Sequence, residues 1–140
     1  MKKTFDIWFL LLLMGIGLTS CGDTYYTDDF LNNSSEKLCN CVWEEVYDTY
    51  TENMEVECVH RIQFNTKDGH ESVTYFREGQ SIPISKQEYA FFWEWGEDME
   101  TIKLKYGTGN NDLFENVWVR QTYLSGKLHG KVVTFKKINR

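Results

Sequence analysis

Three cysteines and one histidine are close enough in the sequence to form a covalent or metal-binding site: Cys39, Cys41, Cys58 and His60. If two neighbouring antiparallel strands place Cys41 opposite Cys58, the same register places Cys39 opposite His60. All four side chains then point into the core. The pattern predicts a Cys41–Cys58 disulfide, for which loop closure would contribute about 3 kcal/mol.

Two other interpretations of these residues stay open. All four could bind zinc, but structural zinc ligands usually come from loops with C-x₂₋₄-C spacing, and Cys39 and Cys41 form a C-x-C pair within a strand pattern. The thiols could also stay unpaired in the core. We therefore predict no metal site, and we keep the disulfide and the free thiols as competing interpretations.

The other titratable residues match no catalytic motif. His60, His70 and His129 are scattered along the chain, and the sequence contains no G-x-S-x-G, HExxH or P-loop pattern. The acidic residues between Asp48 and Glu57 lack EF-hand spacing, so they are interpreted as a solvated rim. We expect a protein that is not an enzyme and needs no cofactor.

One segment rich in aromatic residues is the best candidate for ligand contacts. Tyr89, Phe91, Trp93 and Trp95 occupy alternate positions and would share one face of a strand, and Trp43 is a further candidate on an earlier strand. These rings could line a ligand cavity or simply fill the core. The interior of an eight-stranded barrel is just wide enough for either arrangement.

The elements that must position these residues are strands. From residue 39 onward apolar and polar residues alternate, with turn-forming residues at 67–69, 78–80, 96–99, 107–111 and 125–126. Leu113–Leu124 is long for one strand and predicts a bulge or bend. No connection is long enough for a parallel crossover, so residues 38–140 are predicted to form an antiparallel meander of seven or eight strands that closes as a barrel.

The first 20 residues have the pattern of a secretory signal. Lys2 and Lys3 precede the uncharged run Ile7–Leu18, which is too short to span a membrane as a helix. Residues 21–37 are polar, without a sustained period, and predict a flexible tether. The chain is therefore divided into a signal peptide at 1–20, a tether at 21–37 and one domain at 38–140.

The residues at the end of this signal resemble a known motif. Leu18-Thr19-Ser20-Cys21 resembles the lipobox of bacterial lipoproteins, which implies cleavage before Cys21 and attachment of lipid to this cysteine. Asp23, Asp28 and Asp29 loosely resemble the acidic residues that follow the lipidated cysteine in surface-exposed lipoproteins of Bacteroidetes. The resemblance implies a lipid anchor in the outer membrane, with the protein on its periplasmic or surface face.

A second resemblance covers the domain. FNTKDGHESVTYF, YAFFWEWGEDMETIKLKYG and VWVRQTYLSGKLHGKVVTFKKI are similar to the lipocalin-like domains of small Bacteroidetes lipoproteins. The resemblance implies a lipocalin-like barrel but no particular ligand. The chain departs from true lipocalins in its first strand, where Cys41 stands at the glycine position of their Gly-x-Trp motif, two residues before Trp43.

The charge of the mature chain limits its partners. Without residues 1–20, 13 basic and 20 acidic residues remain, a net charge of −7, which argues against nucleic acid as a partner. We expect a non-catalytic envelope protein, attached to the membrane through lipidated Cys21, that holds a small apolar or amphipathic ligand. The alternative is a surface module that binds an envelope protein through its loops and acidic rim.

Lipid attachment at Cys21 predicts a specific change in fractionation. In the Cys21→Ala variant the protein should leave the membrane fraction, because several acyl chains, each CH₂ contributing about 0.8 kcal/mol, would be lost. The Cys39→Ala variant is the matched control and should still sediment with membranes. Continued membrane association of Cys21→Ala would refute the anchor.

Overall fold

The alternating segments of this chain form one closed antiparallel β-barrel, as the sequence predicted. The computed structural model describes residues 32–138. Within them a four-residue helix, α1, precedes eight strands, each paired antiparallel with the next, and β8 pairs with β1. The elements are α1 (Ser35–Leu38), β1 (Val42–Thr51), β2 (Met54–Phe64), β3 (Asp68–Arg77), β4 (Pro83–Trp95), β5 (Ile102–Tyr106), β6 (Asn111–Val119), β7 (Tyr123–Leu128) and β8 (Lys131–Ile138).

Alternation along each strand decides which residues face the interior. In β2 every second side chain from Val56 to Phe64 is buried, while the residues between them are at least partly exposed. A strand puts successive side chains on opposite faces, so a closed barrel turns an alternating sequence into one lined interior and one wet exterior.

Large aromatic side chains fill one end of the barrel, here called the closed end. Trp43, Phe64, Phe91, Phe114 and Phe135 are almost completely buried there. Leu38 of α1 is fully buried against them, and the Trp43 indole Nε1 donates a hydrogen bond of 3.0 Å to its carbonyl oxygen. The helix therefore plugs this end.

The residues just before α1 are also attached to the closed end. The Asn33 side chain donates to the carbonyl oxygens of Met99 (2.8 Å) and Val117 (2.7 Å) and accepts from the Val119 amide (2.9 Å). Composition assigned residues 32–37 to the end of the tether. In the structure they belong to the barrel unit, because the Asn33 side chain satisfies main-chain groups of the β4–β5 connection and of β6.

The predicted bend after Leu113 is confirmed, but the predicted end of that strand is wrong. The pairing of β6 with β7 shifts between Glu115 and Trp118. The chain then turns before Tyr123, and β7 continues through the predicted turn at 125–126. Gly126 serves close packing there, since a Cβ atom would lie 2.5 Å from Phe114 Cε1.

The last hairpin turn is at His129 and Gly130 instead. Both residues have positive φ, 53° and 77°, and Leu128 pairs with Lys131 across them. This is a two-residue turn of the type that matches the natural twist of a hairpin, and glycine at its second position adopts the required φ at no steric cost.

The barrel closes only partly along its side. β1 and β8 pair at three positions, from Val42–Ile138 to Glu44–Lys136. Beyond them Glu45–Thr51 of β1 and Lys131–Phe135 of β8 face each other without ladder pairs. We call this stretch the seam.

Close packing at the closed end predicts a large effect of one added methyl group. A Cβ atom at Gly69 would lie 2.3 Å from Phe91 Cζ and 2.5 Å from the Gln63 carbonyl oxygen. Gly69→Ala should lower the free energy of unfolding by about 2 kcal/mol, the usual cost of overpacking. Gly107→Ala, where the added atom meets nothing within 4 Å, should change it by less than about 0.5 kcal/mol. Urea unfolding measures both, and equal midpoints would contradict the packing argument.

Candidate functional site

A cavity of about 730 Å³ occupies the half of the barrel opposite the closed end. All eight strands contribute side chains to its wall, together with the loop at 107–110 and the turn at His129. The volume is within the range of ordinary small-molecule sites. The interior is therefore filled with side chains at one end and hollow at the other.

A buried carboxylate, Glu71, forms the floor of this cavity. Only 1% of the residue is exposed. It accepts hydrogen bonds of 2.6 Å from His60 Nε2 and 2.6 Å from the Tyr106 hydroxyl, and His129 Nε2 lies 3.0 Å from its Oε2. A buried carboxylate is costly unless it is paired and hydrogen-bonded, and these three donors meet that requirement.

The turn after β7 delivers His129 to this network. Because His129 occupies the first position of the hairpin turn, its ring reaches over the cavity from β7–β8 to β3 and β6. Its Nδ1 is hydrogen-bonded to Asp112 Oδ2, while its Nε2 faces Glu71. The imidazole thus bridges two carboxylates that come from different walls.

These contacts shift the protonation of the network. Burial by itself would raise the pKa of the Glu71 carboxyl, but hydrogen bonds from His129, His60 and Tyr106 outweigh it and lower the pKa to about 2. The hydrogen bond to Glu71 raises the pKa of the His129 imidazole to about 9, against the opposing effect of burial, and Asp112 adds to the rise. At neutral pH the floor holds an ionised Glu71 beside a protonated His129.

The remaining polar groups of the network are already hydrogen-bonded within it. Burial and the Glu71 charge raise the pKa of the Tyr106 hydroxyl, which stays protonated and donates to that carboxylate. Both ring nitrogens of His129 are also occupied. Neither group is free to take a proton from a bound molecule, so the arrangement suits a polar, rigid floor better than acid–base chemistry.

Tyrosine rings form much of the wall above the floor. Tyr47, Tyr75 and Tyr89 line the cavity from β1, β3 and β4, and the Tyr89 ring meets Tyr106 edge to face at 6.3 Å between centroids. Burial and contact with Cys58 raise the pKa of the Tyr47 hydroxyl, so it too stays protonated. Such rings offer an apolar body with a polar tip.

The two ends of the barrel divide the predicted ligand residues between them. Of the candidates Trp43, Tyr89, Phe91, Trp93 and Trp95, only Tyr89 lines the cavity. Trp43, Phe91 and Trp93 are buried in the closed end, and Trp95 packs against them. The second interpretation of the aromatic strand, core filling, therefore holds for four of the five.

The predicted Cys41–Cys58 disulfide is corrected by the structure. Cys58 lies opposite Tyr47, not opposite Cys41, so the two cysteines are six residues out of register, about 20 Å along a strand. A disulfide needs Cα atoms within about 7 Å. Cys39, Cys41 and Cys58 are free thiols, and burial raises the pKa of each. His60 lies opposite Glu45, six residues from Cys39 and four from Cys41 along the chain, so these residues are not assembled for zinc.

The remaining candidate features are the acidic residues of the β1–β2 hairpin, possible metal ligands and Cys21. Asp48, Glu52, Glu55 and Glu57 are exposed, as a solvated rim would be. In the described part of the chain no three His, Cys, Asp or Glu side chains are grouped so that they could hold a metal ion. Cys21, the predicted lipidation site, lies outside the described residues.

Sequence reasoning did not identify the network at the floor. The sequence indicated His60 only as a possible zinc ligand beside the cysteines and His129 only as a scattered residue, and nothing in it singled out Glu71, Tyr106 or Asp112. One signal was present: Glu71 shares its strand face with Val73 and Tyr75, so it is a charge on a core-facing side. A lone charge of this kind requires a partner in the fold.

No family model matches this chain, and comparisons with curated proteins and with solved structures also found no match. Residues 32–138 contain no helix that is both long and apolar enough to cross a membrane.

The network predicts a bell-shaped dependence of stability on pH. The stabilisation from Glu71 is present above its usual pKa of 4.5 and is lost as pH falls toward 2; that from His129 is present below 6.5 and is lost as pH rises through 9. The contribution of this network to stability should therefore be greatest between about pH 4.5 and 6.5. Urea unfolding across pH 2–10 measures the profile.

Replacing Glu71 should remove most of this dependence. At pH 6 Glu71→Gln should cost on the order of 3 kcal/mol, because a protonated histidine loses its buried partner, and the pKa of His129 should fall in NMR titrations. Glu44→Gln is the control: it removes the half-exposed ion pair with Arg61 (2.7 Å), and should cost below about 1 kcal/mol with the profile unchanged. Identical pH profiles in the two variants would contradict this account.

Proposed function

We propose that this chain is a non-catalytic, lipid-anchored binding protein of the cell envelope that holds a small amphipathic ligand in the open half of its barrel. The observation that carries the proposal is the 730 Å³ cavity with a rigid polar floor at Glu71. A barrel that served only as a scaffold could be filled by its own side chains along its whole length.

The cavity wall combines apolar and polar groups, and this combination supports an amphipathic ligand. Val73, Leu128 and Val133 supply aliphatic surface. Thr108, Asn110 and Asn111 supply hydroxyl and amide groups at the β5–β6 connection. A few polar groups around a mostly apolar wall fix the orientation of a bound small molecule.

The anchor in this proposal rests on the sequence. Leu18–Cys21 supplies the lipobox-like pattern and residues 1–20 the export signal. Asn32 and Asn33 join the barrel at its closed end, where Asn33 bonds to Met99 and Val117.

Ligand binding predicts that Tyr89 matters and that its neighbour on the outer face does not. An uncharged amphipathic fluorescent naphthylamine should bind the wild-type mature protein. Tyr89→Ala should weaken this binding about three- to tenfold, because a ring contact of roughly 0.5–1.5 kcal/mol is removed.

Phe92→Ala is the matched control for this experiment. Phe92 is an exposed aromatic residue of the same strand, but its side chain points away from the cavity. Its loss should change the probe affinity less than about twofold. Failure of the wild-type protein to bind such probes, together with the absence of any bound mass in native mass spectrometry, would overturn the proposal.

A further inference from the structure

The seam leaves two strand edges without partners beside the cavity. On β1 the unpaired stretch Glu45–Thr51 is about 20 Å long, and on β8 it runs from Lys131 to Phe135. The cavity reaches the outside here: its wall includes the inward-facing Tyr47 and Val133, and also Val132, which is 83% exposed on the outer side.

The unpaired main-chain groups of the seam determine which kind of molecule could bind there. Each strand edge presents a row of N–H and C=O groups, which a hydrocarbon chain cannot satisfy and an extended peptide can. A peptide added to a sheet edge gains hydrogen bonds from its backbone and specificity from its alternate side chains. At the seam those alternate side chains would enter the cavity beside Tyr47 and Val133.

The acidic residues near the seam favour a basic peptide. The β1–β2 hairpin from residue 45 to residue 58 contains no lysine or arginine and five acidic residues: Glu45, Asp48, Glu52, Glu55 and Glu57. Asp48 is exposed on the outer face of the unpaired stretch of β1, so basic side chains on the outer face of an added strand would lie beside its carboxylate, while the alternate side chains enter the cavity. On the opposite edge the one charged residue of the unpaired stretch is Lys131.

We propose that the seam binds an extended basic peptide segment as an added strand on β1, with alternate side chains in the cavity. This goes beyond the proposed ligand function, since it adds a protein segment as a partner at a separate edge. Residues 22–31 of the chain itself contain Asp23, Asp28 and Asp29 and no base, and a second copy would present the same acidic hairpin. Charge therefore disfavours both as occupants.

Hydrogen exchange of the full mature protein tests the added strand. The probe is an end-capped octapeptide of alternating valine and lysine. At saturation it should slow exchange of amides in Glu45–Thr51 about tenfold, and leave β5, which is paired on both sides, unchanged. The same peptide N-methylated at alternate residues keeps its charge but loses donors, and should give no protection.

Two charge reversals supply a matched pair of variants. Asp48 and Glu57 are exposed partners on β1 and β2. An added strand would lie about 5 Å from β1 and about 10 Å from β2, beyond the screening length of about 8 Å at physiological ionic strength. Asp48→Lys should therefore weaken the valine–lysine peptide about tenfold, and Glu57→Lys less than about twofold.

Each other outcome overturns the peptide proposal. Equal protection by the N-methylated peptide, or equal loss in the two variants, would mean attraction by charge alone. Protection of Glu45–Thr51 without peptide would mean that a second copy or residues 22–31 already occupy the seam, and sedimentation distinguishes these. Tyr89→Ala should leave peptide affinity within about twofold, because the peptide pairs with β1 and not with β4. If the peptide does not bind, the ligand proposal is unaffected.

Discussion

The burial of the Glu71 carboxylate is the constraint on which the rest of the interior depends. An ionised group inside a barrel requires donors from every side, and here β2, β5 and the turn at His129 supply them. Because these donors come from different walls, the network ties distant strands together across the barrel. Its rigidity follows from mutual satisfaction: each member holds the next in place.

This constraint divides the barrel into two halves with different physical roles. Below Glu71 the buried aromatic rings around Trp43 and Phe91 form one apolar cluster and provide the burial that stabilises the fold. Above it, tyrosine rings and amide groups line the wall together with a few aliphatic side chains, and the interior stays open.

Partial closure gives the molecule an unusual surface. Three pairs between β1 and β8 complete the barrel at its closed end, while above Glu44 the two edges run free. Unpaired edges are a hazard for aggregation, and acidic residues such as Asp48 and Glu52 along the hairpin discourage pairing between copies. The same charges that protect the edge also select what can approach it.

The sequence by itself determined the strands, the antiparallel barrel and most turns, because alternation and turn chemistry are local properties of the chain. It could not determine the register of β1 on β2. The observed register differs from the cysteine alignment by six residues, an even number, so both keep the same faces inward. The network at the floor could not be predicted either, because Glu71 and His129 are 58 residues apart and meet only when the barrel closes. The tertiary structure also decided which half of the barrel is hollow, because that depends on packing between strands.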